Sequence, residues 1–171
     1  IIIVSNEGEA DDDGIEGGAG TNQIKVSTGV HRFATDGNIN NIDEIIAHSS
    51  GSTINLNGQT EGFTITGDNG GDTLKGGSGD DTIDVSSVNS TISAGSGDDT
   101  VNVLAGSGSF FDLGEGDNAL IADVSVSSVI AGSGDDVIKL SGGQHSVSVY
   151  TSIHTENGEI SWAEVDIYGY D

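Results

Sequence analysis

Between residues 64 and 148 an apolar side chain returns at about every ninth position: Ile65, Leu74, Ile83, Ile92, Val101, Phe110 or Phe111, Leu120, Val129, Ile138 and Val147. A helix buries a face every three to four residues and cannot produce this series. Short strands can, because their side chains alternate between the two faces of a sheet. A coil with two short strands per turn, each pointing one side chain inward, gives the period of nine and a full turn of about 18 residues. One slip falls at Phe110-Phe111, where a residue is inserted. A second inward place follows two residues later. Val85, Val103 and Leu140 occupy it on one side of the coil, and Gly76, Ala94 and Ala131 on the other. The pattern predicts an all-β parallel solenoid with unequal edges, one of acidic glycine turns and one of Ser- and Val-rich segments such as SVNSTIS and VSVSSVI.

The polar positions between these residues also repeat. GGSGDDTID (76–84), AGSGDDTVN (94–102), LGEGDNALI (113–121) and AGSGDDVIK (131–139) recur once per full turn, with the inserted residue falling between the second and the third. GDNGGDTLK (67–75) precedes them by one unit. In G-x-G-x-D the glycines permit left-handed backbone, so that several carbonyls converge while the Asp adds a carboxylate. Convergent hard oxygens suit Ca²⁺, which takes six to eight oxygen ligands, and no thiolate or imidazole lies in these turns to favour another metal. Ordinary Asp-Gly hairpins would not keep so regular a register.

Composition sharpens this picture. Asp and Glu number 28 against 4 Lys and Arg, a net charge of -24 that repels nucleic acid. So acidic a chain with 5% aromatics would be read as disordered were it not for the repeat. The 28 Gly come without Pro, which excludes collagen-like and Pro-rich linker sequences. Without Cys there are no disulfides, thiolate sites or Cys nucleophile, which suits maturation outside the cell. No apolar run reaches the ~20 residues of a membrane span, so membrane insertion is not expected. A chain starting at Ile1 and lacking Met is expected to be a processed form or a fragment. His31, His48, His145 and His154 are scattered and are expected at the surface or at strand edges. The repeat alone explains the paired acids, so no enzymatic activity is expected.

GGSGDDTID agrees in every defined position with GGxGxDxUx, and the chain resembles the RTX, or haemolysin-type, calcium-binding β-roll family. The resemblance is good over 67–139, weak at GGAGTNQIK (17–25), and nearly absent at the two ends. It implies a right-handed parallel β-roll binding several Ca²⁺ ions between turns one coil apart. The implied ligands are carbonyls of places two and four with the sixth-place Asp of one turn, and carbonyls of places one and three with the sixth-place Asp of the next. One set is Gly77, Gly79 and Asp81 with Ala94, Ser96 and Asp99. A second is Gly95, Gly97 and Asp99 with Leu113, Glu115 and Asn118, and a third is Gly114, Gly116 and Asn118 with Ala131, Ser133 and Asp136. Asn118 offers a neutral oxygen in place of a carboxylate, which should weaken the second and third sets. Asp72 and Asn22 lack matching neighbours, and the fifth-place acids Asp80, Asp98, Asp117 and Asp135 are expected to form a charged surface.

The chain divides into an N-terminal strand and irregular early coils (1–57), the regular solenoid (58–148) and an aromatic C-terminal cap (149–171), one domain overall. Residues 26–57 are expected to form irregular coils or a short helix. The opening IIIV is expected to pair within its own subunit, the alternative being a neighbouring copy in a homo-oligomer or filament. Three functions are compatible with such a chain. They are a calcium-binding structural module of an extracellular or cell-surface assembly (adhesin, surface layer or filament), an ice-binding module, and the secretion and folding domain of an exported enzyme or toxin.

Overall fold

The computed structural model describes residues 1–4, 14–33, 35–37, 39–126 and 128–141, and beyond them the backbone of four strands between 148 and 170. The early coils hold β1 (Ile2–Val4), β2 (Ile15–Glu16), β3 (Gln23–Val26), β4 (Gly29–Arg32), β5 (Ile39–Asn40), β6 (Glu44–Ile46) and β7 (Ser52–Asn55). The regular repeat supplies β8 (Thr64–Gly67), β9 (Thr73–Lys75), β10 (Thr82–Val85), β11 (Thr91–Ser93), β12 (Thr100–Val103), β13 (Phe110–Asp112), β14 (Ala119–Ala122), β15 (Ser128–Gly132) and β16 (Asp136–Ser141). After it come β17 (Ser148–Thr151), β18 (Ile153–Glu156), β19 (Glu159–Trp162) and β20 (Val165–Tyr170).

These strands wind into a parallel β-solenoid of about 7 turns with roughly 19 residues per turn, and no helix occurs among the described residues. One wall is a nine-stranded sheet in the order β1-β3-β6-β8-β10-β12-β14-β16-β20; the other is a seven-stranded sheet, β17-β15-β13-β11-β9-β7-β4. Every pairing within these two walls is parallel, whereas β18 and β19 form a separate antiparallel hairpin. Register explains the period. Thr82 lies opposite Thr100, a regular step of the repeat, whereas Thr91 lies opposite Phe110 rather than Ser109. The insertion is therefore absorbed before β13, and Phe111 rather than Phe110 enters the core: Phe111 is buried and Phe110 is 37% exposed.

Burial follows the predicted column. Ile65, Leu74, Ile83, Ile92, Val101, Leu120, Val129 and Ile138 are all fully buried, and Val85, Ala94, Ala131 and Leu140 fill the second inward place. Val147 lies outside the described residues. The two walls thus share one core, with the alternating buried and outward positions that short strands impose. Residues 26–57 contain no helix among those described: β4 and β7 pair from Gly29↔Ser52 to Arg32↔Asn55, so this stretch forms early coils of the same walls.

His31 corrects the sequence reading of surface histidines. It stands opposite Ile54 in a core column, fully buried, with Nε2 3.0 Å from the carbonyl of Ser27 and Nδ1 without a partner. Period-two alternation from Phe33 backwards, across a β-compatible GVHR, was the signal that could have placed it. His48 is exposed as expected, and the side chains of His145 and His154 lie outside the described residues. The IIIV segment pairs within the chain, Ile2↔Ile24 to Val4↔Val26, with Ile1 and Ile3 outward. At the other end β20 lies along β16 from Asp136↔Val165 to Ser141↔Tyr170. The side chains of Tyr150, Trp162, Tyr168 and Tyr170, expected to cap this end, are outside the described residues.

Candidate metal centre

The four acidic turns stack along one edge and bring the predicted ligands together. Their sixth-place residues, Asp81, Asp99, Asn118 and Asp136, are each 1% exposed, and their fifth-place neighbours Asp80, Asp98, Asp117 and Asp135 are exposed. Burial of the first column follows from strand alternation, since the sixth place points the same way as the core residue two positions on.

Each interface between coils is tied twice, in opposite directions. The amides of Asp81, Asp99 and Asn118 donate to the sixth-place side chains of the following coil, Asp99 Oδ1 (2.8 Å), Asn118 Oδ1 (2.9 Å) and Asp136 Oδ1 (3.0 Å). The amides of Asp98, Asp117 and Asp135 donate back to Asp80, Asp98 and Asp117 at 2.9, 2.9 and 2.8 Å. The fifth-place acids are the charged surface the sequence implies and also half of this ladder, a role that sequence reasoning missed.

The carbonyls behave less uniformly. Gly77, Gly95 and Gly114 O each accept one amide from the next coil, those of Ser96 (3.1 Å), Glu115 (2.9 Å) and Ser133 (3.0 Å), and the Ser133 carbonyl accepts the amide of Gly116. A carbonyl has two lone pairs, so each of these can still face a cation. Leu113 and Ala131, like Ala94, present their side chains to the core. Gly95, Gly97, Gly114, Gly116, Gly132 and Gly134 adopt left-handed backbone, φ between 88° and 121°. Gly77 and Gly79 do not; in that turn the Gly77 amide donates to Asp81 Oδ2 (2.9 Å), and Phe63 N donates to Asp81 Oδ1 (2.7 Å). Both oxygens of Asp81 are thereby satisfied by protein.

Asp99 Oδ2 and Asp136 Oδ2 are buried with no hydrogen-bond partner. An ionised oxygen in that position is costly unless a cation meets it. Burial drives the Asp99 pKa up to about 7, the amide of Asp81 opposes the shift, and the charges of Asp81, Asp80 and Asp98 add to it. Burial likewise raises Asp81, Asp72 and Asp136. For Asp136 the backbone and side-chain amides of Asn118 oppose the shift without completing a hydrogen bond to Oδ2. No group of three or more His, Asp or Glu side chains among the described residues could hold a metal ion by itself, so an ion on this edge needs backbone carbonyls. The donor set is all oxygen and anionic, which fits Ca²⁺.

Across the coil, Asp72 has a different solution. Its Oδ1 accepts the amide of Ser52 (2.8 Å) and its Oδ2 the Ser87 hydroxyl (3.3 Å), while its own amide donates to Ser90 Oγ (3.1 Å) and Ser90 N to Ser109 Oγ (3.0 Å). This is the same amide-to-side-chain ladder built mainly with Ser, and the neighbours that the sequence could not find for Asp72 are hydroxyls. The recurrence of a small polar residue once per turn, at Asp72, Ser90 and Ser109, carried the signal.

The RTX calcium-binding nonapeptide repeat matches this chain in four copies, over residues 7–24, 64–90 and 89–109. The chain carries RTX calcium-binding repeats. No curated protein and no solved structure gives a match. The last two RTX-like turns, around Asn118 and Asp136, lie beyond the matched residues, yet they continue the ladder in register. The RTX repeats bind calcium, and the orphaned oxygens of Asp99 and Asp136 are where these turns are short of a ligand.

Proposed function

We propose that this chain is a non-enzymatic structural module of a secreted or cell-surface protein, in which Ca²⁺ bound along the acidic edge holds the coils in register as part of an extracellular assembly. The observation that carries it is the pair of buried, unpartnered carboxylate oxygens on Asp99 and Asp136 in a stack of glycine turns. No cation of the chain offsets them: Lys25 and Lys139 belong to β3 and β16, and Arg32 and Lys75 to β4 and β9, all on the flat walls. The outward Ile1 and Ile3 of β1 support contact with another copy. Equilibrium dialysis against Ca²⁺ and Mg²⁺ tests the proposal: selective uptake of Ca²⁺ supports it, and no uptake overturns it. Sedimentation of the loaded protein, which should show assembled forms, tests the assembly.

Ice binding is a second reading, favoured by two outward rows of threonine in register, Thr64, Thr82 and Thr100 on one wall and Thr53, Thr73 and Thr91 on the other. Absence of thermal hysteresis in the calcium-loaded protein would remove it.

A further inference from the structure

The sixth place holds Asp in some turns and Asn in others, and the two meet different partners. In the turn of Asn22, Nδ2 donates to Gly18 O (3.2 Å) and Gly20 O (3.1 Å), the carbonyls of places two and four of its own turn. In the turn of Asn118, Nδ2 donates to Gly116 O (3.0 Å), again the fourth place of its own turn. Of the three Asp turns on this edge, Asp81 Oδ2 accepts the amide of Gly77 (2.9 Å), whereas the corresponding atoms of the other two, Asp99 Oδ2 and Asp136 Oδ2, have no partner.

Carboxamide and carboxylate share one shape, so the exchange replaces an anionic oxygen by an N–H donor at the same point. The Asn118 orientation is fixed by its neighbours: Oδ1 accepts the Asp99 amide, and Nδ2 faces a carbonyl. Turning the amide would set donor against donor and acceptor against acceptor. An N–H aimed at these carbonyls satisfies them as a cation would, and its positive end repels one. Asn118 therefore acts otherwise than as a weak neutral ligand, because its Nδ2–H, held on Gly116 O, stands where Asp99 and Asp136 present an unpartnered carboxylate oxygen.

We propose that what meets the second side-chain atom of the sixth-place residue decides, turn by turn, whether a turn takes Ca²⁺: the Asp99 and Asp136 turns, where protein supplies no partner, require the ion, and the Asn118 and Asn22 turns are closed by their own side-chain amide. The calcium column is accordingly interrupted at Asn118 and missing at Asn22, and these two turns keep their shape without metal. The inference rests on the reading of the Asp turns as calcium sites and adds what selects among turns.

The test is calcium stoichiometry of the whole chain by titration calorimetry, for the wild type, N118D, N22D and D99N, with thermal melts in excess chelator alongside. N118D should bind one ion more than the wild type, and its metal-free melt should fall below the wild type's and recover with Ca²⁺. D99N should bind at least one ion fewer and melt higher than the wild type in chelator. Should N118D fail to fold even with Ca²⁺, N22D, in a half-exposed turn, carries the same expectation of one added ion. A wild type that binds Ca²⁺ while N118D or N22D binds no more, or while D99N binds as many, overturns this inference and leaves the calcium reading standing. A wild type that binds none overturns both.

Discussion

The amide of Asp81 donates to the carboxylate of Asp99 one coil away at 2.8 Å, and that carboxylate's other oxygen is buried with nothing to accept. One side chain thus both fastens two coils and leaves a charge that protein alone does not neutralise. Asp99→Asn keeps the acceptor and removes the charge. In chelator at about pH 8 it should stabilise the fold by about 2 kcal/mol, the order of an uncompensated buried polar group. With Ca²⁺ at about tenfold excess over its dissociation constant, it should lose about 1.4 kcal/mol of the ion's contribution. Asp80→Ala, at an exposed position, should cost under about 1 kcal/mol in either condition. Denaturant unfolding of the three proteins measures all of these.

Acidity should act on the metal-free protein in the same sense. Burial raises the Asp99 pKa to about 7, and raises Asp72, Asp81 and Asp136 as well, above the ~3.9 of an unfolded Asp. The folded chain therefore holds more protons than the unfolded one between about pH 4 and about pH 7, and metal-free stability falls as pH rises through that window. Calcium competes with those protons, so its stabilising increment should grow over the same range. Melting temperatures from about pH 5 to about pH 8, with chelator and with Ca²⁺, check both trends; a chelated melt that rises with pH would contradict the burial of these acids.

Close stacking makes particular glycines irreplaceable. A Cβ at Gly132 would collide with the Gly114 carbonyl oxygen, and its φ of 92° is already strained for any other residue. Gly18, with φ of 74°, has nothing within 4 Å of that position. Gly18→Ala should cost about 1 kcal/mol and Gly132→Ala about 3 kcal/mol or more, as read from calcium-loaded unfolding curves.

The inserted residue gives a further contrast between neighbours. Phe111→Ala should cost about 3 to 5 kcal/mol by opening a cavity in the core, and Phe110→Ala under about 1 kcal/mol. Equal losses from the two would mean that the register slips elsewhere.

The core column was readable because short strands fix the period of inward residues, and the resemblance of GGSGDDTID to a known nonapeptide located the acidic edge. Less readable was everything that depends on which atom meets which across coils. Phe110 and Phe111 are equivalent to a periodicity and differ only once Thr91 is paired with Phe110. Asp72 looked isolated because its partners are Ser52, Ser87 and Ser90, residues too common to stand out. Asn118 and Asp99 occupy the same place in the repeat, and only their hydrogen bonds separate an amide that closes a turn from a carboxylate that needs an ion. His31 was misread because its residue type outweighed its place, two residues before the buried Phe33 on the same face of the strand.

Circular dichroism during a Ca²⁺ titration bears on the central claim most directly, because it reads whether the coils form without the ion. The short strands bury little each, and the acidic edge repels itself, so the metal-free fold should be marginal and the β signal incomplete in excess chelator near neutral pH. It should develop as free Ca²⁺ passes through roughly 10⁻⁴ to 10⁻³ M, the range of extracellular calcium modules, and should not develop with Mg²⁺ at the same concentrations. A β signal already complete in chelator and unchanged by Ca²⁺ would contradict the account.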